Sequence, residues 1–375
     1  FNRILFSING GVSGYFRNLG TDLWWMEIPH LNGHEQLTTD YLRIFAFPKL
    51  EWGYKKLELT LDFPVNLYSY FFSGGLHDRM EFFISPSLAA RFRLTPRMSL
   101  TFRGSARQSP AALHDIHDSS ILTDYRSFTS GVDDYYSSTG QSLSVSYNYR
   151  NAQSGVFIMT MGNLGWNKSK FRTVRNIVGD YVFYSYSSSP SDSRNVLAVL
   201  NASKTLDFMR GAIGIKGNYR SVESNMLSQG INTDYTNYSY SLSPFVNGNI
   251  STFFNWDFRF TWIRSLLKIS DMSTRSSDNF KYTGRVTITP CHLLAWTIGG
   301  EFYRNIADAG EYKNIFMFDT KITFNVSKRI GIDLSATNIF DVKEYRYTSY
   351  GDISMYERSN RLRGREFMIS VYLKK

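Results

Sequence analysis

Residues 254–262 read Phe-Asn-Trp-Asp-Phe-Arg-Phe-Thr-Trp. In an extended strand, successive side chains point to opposite faces. Phe254, Trp256, Phe258, Phe260 and Trp262 therefore share one face, and Asn255, Asp257, Arg259 and Thr261 share the other. A sheet in water seldom needs a wholly aromatic face backed by charge, whereas a strand between lipid and a wet lumen does. The stretch predicts an all-β fold, a transmembrane antiparallel up-and-down β-barrel.

The same alternation recurs. Leu57, Leu59, Leu61 and Phe63 oppose Glu58, Thr60 and Asp62; Leu143, Val145, Tyr147 and Tyr149 oppose Ser142, Ser144, Ser146 and Asn148. Ile322, Phe324 and Val326 oppose Lys321, Thr323 and Asn325, and Phe367, Ile369, Val371 and Leu373 close the chain. No segment carries a helical period. Short turns are expected near 53–56, 94–97, 150–154, 205–209, 248–252, 289–292 and 327–330. Longer connections are expected near 17–40, 109–139, 171–194, 221–234 and 340–361. Tight turns at one end and long loops at the other are the habit of outer-membrane barrels. Counting through them gives roughly 16 strands. Residues 1–375 read as one barrel portion, with no linker and no second domain. The polar loop Tyr184–Asp192 and the stretch 127–140 are expected to be mobile.

Composition narrows the class. Of the 375 residues, 42% are hydrophobic, which is ordinary, but 16% are aromatic, which suits girdles at two membrane interfaces. No run approaches the roughly 18–20 apolar residues of a spanning helix, so a membrane protein of this sequence has to be a barrel. The net charge of +10 comes from Lys and Arg scattered singly. That argues against nucleic acid and for anionic headgroups or a basic lumen. Cys291 stands alone, so no disulfide forms within the chain. A start at Phe1, with neither Met nor a signal segment, is expected of a mature product or of part of a longer precursor.

The last third carries a strand, a short turn and Ile332-Asp333-Leu334-Ser335-Ala336-Thr337-Asn338-Ile339-Phe340-Asp341. A Tyr-rich loop with Tyr345, Tyr347 and Tyr350 follows, and Gly364-Arg365 opens the final strand. This resembles the C-terminal end of a TonB-dependent outer-membrane receptor, where an Asn-Leu-Phe-Asp-like element and a Gly-Arg element occupy those places. Pro86–Arg93, the turn at Thr95-Pro96-Arg97 and Met98–Arg107 resemble that family's mid-barrel hairpin, in the style of Bacteroidota receptors. The resemblance implies a barrel of about 22 strands around an N-terminal plug. This chain would supply the wall without the plug and first strands. It also implies energy delivered by TonB through that plug, and a possible surface lipoprotein partner. Outer-membrane lipid and lipopolysaccharide would surround the wall.

Aromatic platforms grip sugars, chelates and peptides, which makes Trp24, Trp25, Tyr135, Tyr136, Tyr345 and Tyr347 the ligand-contact candidates. The plainer alternative, favoured for any single one, is an interface girdle. Glu58, Asp62, Arg103, Lys216, Asp257, Arg259, Arg285 and Asp333 fall on the polar phase, where a hydrated lumen wall is the natural setting. His114-Asp115-Ile116-His117-Asp118 offers metal-ligating side chains, but a solvated loop is the preferred reading, and neither metal nor cofactor is expected. No nucleophile elbow, His–carboxylate pair or phosphate loop suggests an enzyme. The expected function is nutrient import across the bacterial outer membrane, of an iron chelate, glycan, peptide or cofactor. The alternative is a passive pore or structural barrel.

Overall fold

The structure is a computed structural model. It describes residues 2–23, 33–73, 77–112, 115–116, 119–132, 134–251, 253–270, 272–307, 312–327, 329–351 and 353–373. The chain runs β1 (Asn2–Leu23), β2 (Gly33–Tyr54), β3 (Leu57–Asp62), β4 (Val65–Phe72), β5 (Arg79–Ile84), β6 (Ser87–Thr95), β7 (Met98–Pro110), β8 (Ile121–Asp124) and β9 (Ser127–Thr129). It continues with β10 (Ser137–Asn151), β11 (Val156–Ser169), β12 (Arg172–Val178), β13 (Tyr181–Ser187), β14 (Ser191–Leu206), β15 (Gly211–Ser228), β16 (Ile231–Ser251) and β17 (Phe254–Ile269). It ends with β18 (Arg275–Cys291), β19 (Leu294–Ala307), β20 (Tyr312–Asn325), β21 (Ile330–Thr337), β22 (Glu344–Gly351), β23 (Ser354–Arg361) and β24 (Glu366–Leu373). The pairing is overwhelmingly antiparallel and strand makes up 81%. No α-helix occurs among the described residues.

The 24 strands among the described residues exceed the roughly 16 expected from turn counting. Two extra segments arise because prolines interrupt continuous strands between β3 and β4 and between β5 and β6. Six more are hairpin strands inside the connections, namely β8–β9, β12–β13 and β22–β23. The expected short turns fall where the sequence places them. The long ones are partly overturned. The connection expected at 17–40 is largely strand, and that at 221–234 is the tight turn Gln229-Gly230, with φ of 50° and 77°. Successive positive φ values match the twist of a two-residue hairpin. The closed barrel is not met either. β1 pairs with β2 and β24 with β21, and among the described residues nothing joins β1 to β24.

The chain divides into two compact units. The first comprises Phe1–Ser146, Asn163–Val196 and Val222–Tyr235. β1 and β2 pair without a slip from Asn2↔Tyr54 to Leu23↔Gly33. β2 then pairs with β3 and β4 in one register, Tyr54↔Leu57 through Thr39↔Phe72. β5 and β6 continue the sheet in the same fashion, and β7 follows β6. Pro48 lies on β2, Pro64 in the break between β3 and β4, and Pro86 in that between β5 and β6. Each carbonyl accepts from across the ladder, at 3.0 Å from Phe63 N, 3.0 Å from Ser85 N and 2.9 Å from Ala106 N. None of the three can donate in return. One face of this unit is apolar, with Phe6 63% and Phe16 86% exposed. A row such as Val12–Ile44–Leu67–Phe82 runs across four strands of it.

The second unit comprises Tyr147–Gly162, Leu197–Ser221 and Thr236–Lys375. β17 to β21 and then β24 pair in sequence, and register sorts their side chains into rows. One face stacks Phe260–Tyr282–Phe302–Phe316, Phe258–Gly284–Gly300–Phe318, Trp256–Val286–Ile298–Thr320 and Phe254–Ile288–Trp296–Ile322. None of these residues is charged. The opposite face stacks Thr261–Lys281–Tyr303–Ile315, Arg259–Thr283–Glu301–Met317, Asp257–Arg285–Gly299–Asp319 and Asn255–Thr287–Thr297–Lys321. Hydroxyl pairs rung that polar face, as in Thr287–Thr297 at 3.1 Å and Ser243–Thr261 at 3.0 Å.

Candidate functional site

In the first unit the polar phase of four strands condenses into an aromatic and cationic patch. Its central row is Tyr15–Tyr41–Tyr70–Arg79, and the next is Ser13–Arg43–Tyr68–Glu81. Tyr15 stacks on Tyr41 at 4.7 Å between ring centroids, and Tyr70 lies 5.4 Å from Tyr41. Arg17 sits 4.8 Å over the Tyr41 ring. Arg43 lies 4.8 Å over Phe45 and donates to Asn66 Oδ1 from two nitrogens, at 2.9 and 2.7 Å. Arg79 pairs with Glu81 at 3.0 Å and donates to the Tyr135 carbonyl at 3.2 Å. Neither Arg17 nor Arg43 has an ion-pair partner among the described residues. Arg17 is steadied by the Tyr41 ring face and Arg43 by ring faces and the Asn66 amide. A ring face is worth about 0.5–2 kcal/mol and leaves the positive charge in place.

The connections above this patch are built, not loose. β9 runs parallel to β13, from Ser127↔Val182 to Thr129↔Tyr184, and Ser130 N donates to Tyr184 O at 2.9 Å. Tyr135 turns to the patch, 5.0 Å from Tyr70. Its neighbour Tyr136 turns the other way, into a small core with Leu37, Ala111, Ile116 and Phe171. Asp115 locks that core. It accepts from Tyr186 Oη at 3.0 Å and from Ala112 N at 3.1 Å. Burial, then the Asp115 carboxylate, pushes the Tyr186 hydroxyl up to about 12. Burial also raises Tyr135 and Tyr136, with Tyr70 the next cause for the first and Asp115 for the second. The segment expected to be mobile at 184–192 is thus strand-paired in its first part. Asp115 serves the loop core; His114, His117 and Asp118 lie outside the described residues.

In the second unit the hairpin β22–β23 packs against the polar side of β17–β20. Tyr345 meets Tyr303 edge-on at 5.3 Å and Tyr347 at 5.5 Å. Buried Asn305 exchanges bonds with the Thr348 backbone, at 3.5 Å to its carbonyl and 3.4 Å from its N–H. Lys313 pairs with Glu357 at 2.9 Å. The polar face beneath holds further pairs, Lys281–Glu301 at 3.3 Å and Lys321–Asp333 at 2.7 Å.

The Asn338…Asp341 and Gly364-Arg365 elements prove to be one clasp. Asn338 stands at φ 49° and Asp341 at φ 55°. Asn338 Nδ2 donates to the carbonyls of Val342 and Arg363, at 2.8 and 2.7 Å, and its Oδ1 accepts from Val342 N at 2.9 Å. Asp341 Oδ1 accepts from Arg365 N at 3.0 Å, and a Cβ on Gly364 would lie 2.8 Å from that oxygen. The backbone N–H of Arg365 is the first reason the Asp341 carboxyl is held below its ordinary range. Residue spacing in this motif therefore reflects how the last strand is aimed.

The ligand candidates separate. Tyr135 joins the arginine patch, Tyr136 the loop core, and Tyr345 and Tyr347 the hairpin seam; Trp24 and Trp25 lie outside the described residues. Of the polar-phase charges, Glu58 is bridged to Arg91 and Arg93 and Asp62 accepts from Ser87 Oγ at 3.3 Å. Asp257 faces Arg285 across the ladder, Asp333 holds Lys321, Arg103 sits opposite Ala89, and Lys216 and Arg259 flank the Phe245 ring. Sequence reasoning missed Tyr15, Arg17, Tyr41, Arg43, Tyr70 and Arg79. Residues 17–40 were read as a loop, which hid the Tyr-x-Arg pairs 15–17 and 41–43 that the register sets side by side.

No protein-family model matches the chain, and no curated protein does. Among solved structures, a loop L8 deletion mutant of OmpT, an outer membrane protein of Vibrio cholerae, is 11% identical. It covers 100% of this chain and 99% of its own, at a TM-score of 0.32. The ferric-catecholate import receptor Fiu from E. coli K12, open form, is 10% identical over 99% of this chain and 81% of its own, TM-score 0.31. The siderophore receptor PiuA from Acinetobacter baumannii is 8% identical over 99% and 79%, TM-score 0.33. Overlaps this loose leave fold and function to be read from the chain itself.

Proposed function

We propose that this chain is the wall of an outer-membrane β-barrel that imports a scarce solute, in the manner of TonB-dependent receptors. The observation that carries the membrane reading is the contrast between the faces of β17–β20. Four uncharged rows back onto rows holding Lys281, Arg259, Glu301, Asp257, Arg285, Asp319 and Lys321. From Phe316 to Phe324 the uncharged face extends about 27 Å along β20, close to the ~25 Å apolar band of such walls. Lipid tolerates no unpaired backbone, so the two open edges are completed in the embedded protein. The importer reading rests on the clasp motif of the C-terminal strands and on the cationic aromatic patch on the polar face of the first unit. Two guanidiniums that meet no carboxylate among the described residues favour a ligand that brings negative charge and a planar or ring surface.

The test is growth of cells producing the full-length protein on single iron or carbon sources, with TonB present or deleted. Import should require TonB, and Arg17→Gln with Arg43→Gln should weaken solute binding about tenfold. Uptake indifferent to TonB would convert the reading to a passive pore.

A further inference from the structure

A groove of about 470 Å³ opens on the uncharged face of the second unit. Phe258, Phe260, Tyr282, Phe302 and Phe316 wall it, and Gly284 and Gly300, partners across β18 and β19, form its floor. The glycines make the space. A Cβ on Gly284 would press on the Phe258 ring at 3.0 Å, and one on Gly300 would stand in the groove at 3.8 Å from Phe318. Directly up β19 on the same face, four residues and about 13 Å beyond Gly300, stands exposed Arg304, its guanidinium 5.2 Å over the exposed Tyr312 ring. Phe280 and Trp262 complete its row. The neighbouring carboxylate, Asp278, is already engaged by Trp262 Nε1 at 2.8 Å and Arg264 at 3.9 Å. Arg304 has no ion-pair partner among the described residues.

A dent among aromatic rings with an exposed cation further along the same face, unpaired with any carboxylate among the described residues, matches a lipid carrying a phosphate at its head. We propose that the groove is a fixed acyl-chain slot for one phosphorylated glycolipid of the outer leaflet, the lipid A portion of lipopolysaccharide, with Arg304 taking a phosphate. This rests on the reading of that face as lipid-facing. Arg304 lies at the end of β19 opposite the short turns 289–292 and 327–330, the end which that reading places outward. Bulk lipid alone would need neither the paired glycines nor the cation above them.

The experiment inserts the full-length protein into vesicles of phosphatidylcholine, alone or doped with lipid A or with phosphatidylglycerol. Lipid retained after detergent extraction is then counted by native mass spectrometry, and heat-modifiable gel mobility reports insertion. Wild type should keep one lipid A. Gly300→Leu, which fills the slot, and Arg304→Gln, at an exposed site, should each retain about tenfold less while inserting normally. Equal retention by both variants overturns the slot and leaves the membrane wall standing. Equal retention of phosphatidylglycerol overturns the assignment to lipid A, and dimers abolished by Gly300→Leu would give the groove to a second copy. Failure of wild type to insert at all would sink the lipid-facing reading and the slot with it.

Discussion

Tyr186 donates a hydrogen bond to Asp115 inside the loop core. Its protonated form is the one the fold favours, so its contribution is whole below the ordinary phenol value of 10.0 and is lost as pH rises through about 12. Phenolate absorbance in a pH titration should therefore show a late-ionising tyrosine, and proteolysis of the 171–194 connection should accelerate only as that group titrates. Tyr186→Phe should take one tyrosine out of the late-ionising set, which also holds Tyr135 and Tyr136, and cost about 1.5–3 kcal/mol, the value of a bond to a charged group. Asn338 carries more. Its amide satisfies three backbone groups at the C-terminal clasp, and it is 8% exposed. Asn338→Ala should cost about 2–4 kcal/mol in a urea refolding titration. Asn338→Gln should rescue little, because the positive φ at that place suits Asn. A loss below about 0.5 kcal/mol would mean the clasp is ornamental.

The unit of argument among strands is the row. Val286 lies in the middle row of the uncharged face and Thr287, its chain neighbour, on the polar one. Val286→Arg should cost on the order of 2–4 kcal/mol of insertion into phosphatidylcholine vesicles, and Thr287→Arg close to none. Equal penalties would show that the faces have been misassigned. Alternation made this sorting legible from residues 254–262 alone, because period 2 needs no knowledge of partners. The arginine patch was not legible, since Tyr15, Tyr41 and Tyr70 become neighbours only once cross-strand register is known. The hairpins inside the connections were hidden for another reason. β13 and β22 are Ser- and Tyr-rich with no alternation of apolar and polar sides, and so lack the one-sided apolar signal that announces a strand.

For the molecule as a whole, β22–β23 is the element whose position matters most to the proposed passage of solute. It packs on the side of β17–β20 that carries the charges, held by the Asn305–Thr348 exchange, the Tyr303–Tyr345 contact and the Lys313–Glu357 pair. An exposed pair of this sort contributes under about 1 kcal/mol, so the hairpin is tethered but not welded. Deletion of residues 346–359 should raise ion conductance across planar bilayers, while Lys313→Gln alone should leave it near the wild-type value. Unchanged conductance on deletion would place the hairpin outside the permeation path.

The three prolines at positions 48, 64 and 86 bring a mechanical corollary. At each, one partner reaches across and receives nothing back, so three neighbouring seams carry single stitches along one line. Under load the wall would crease along that line first, and amide exchange around Phe63, Ser85 and Ala106 would report the give.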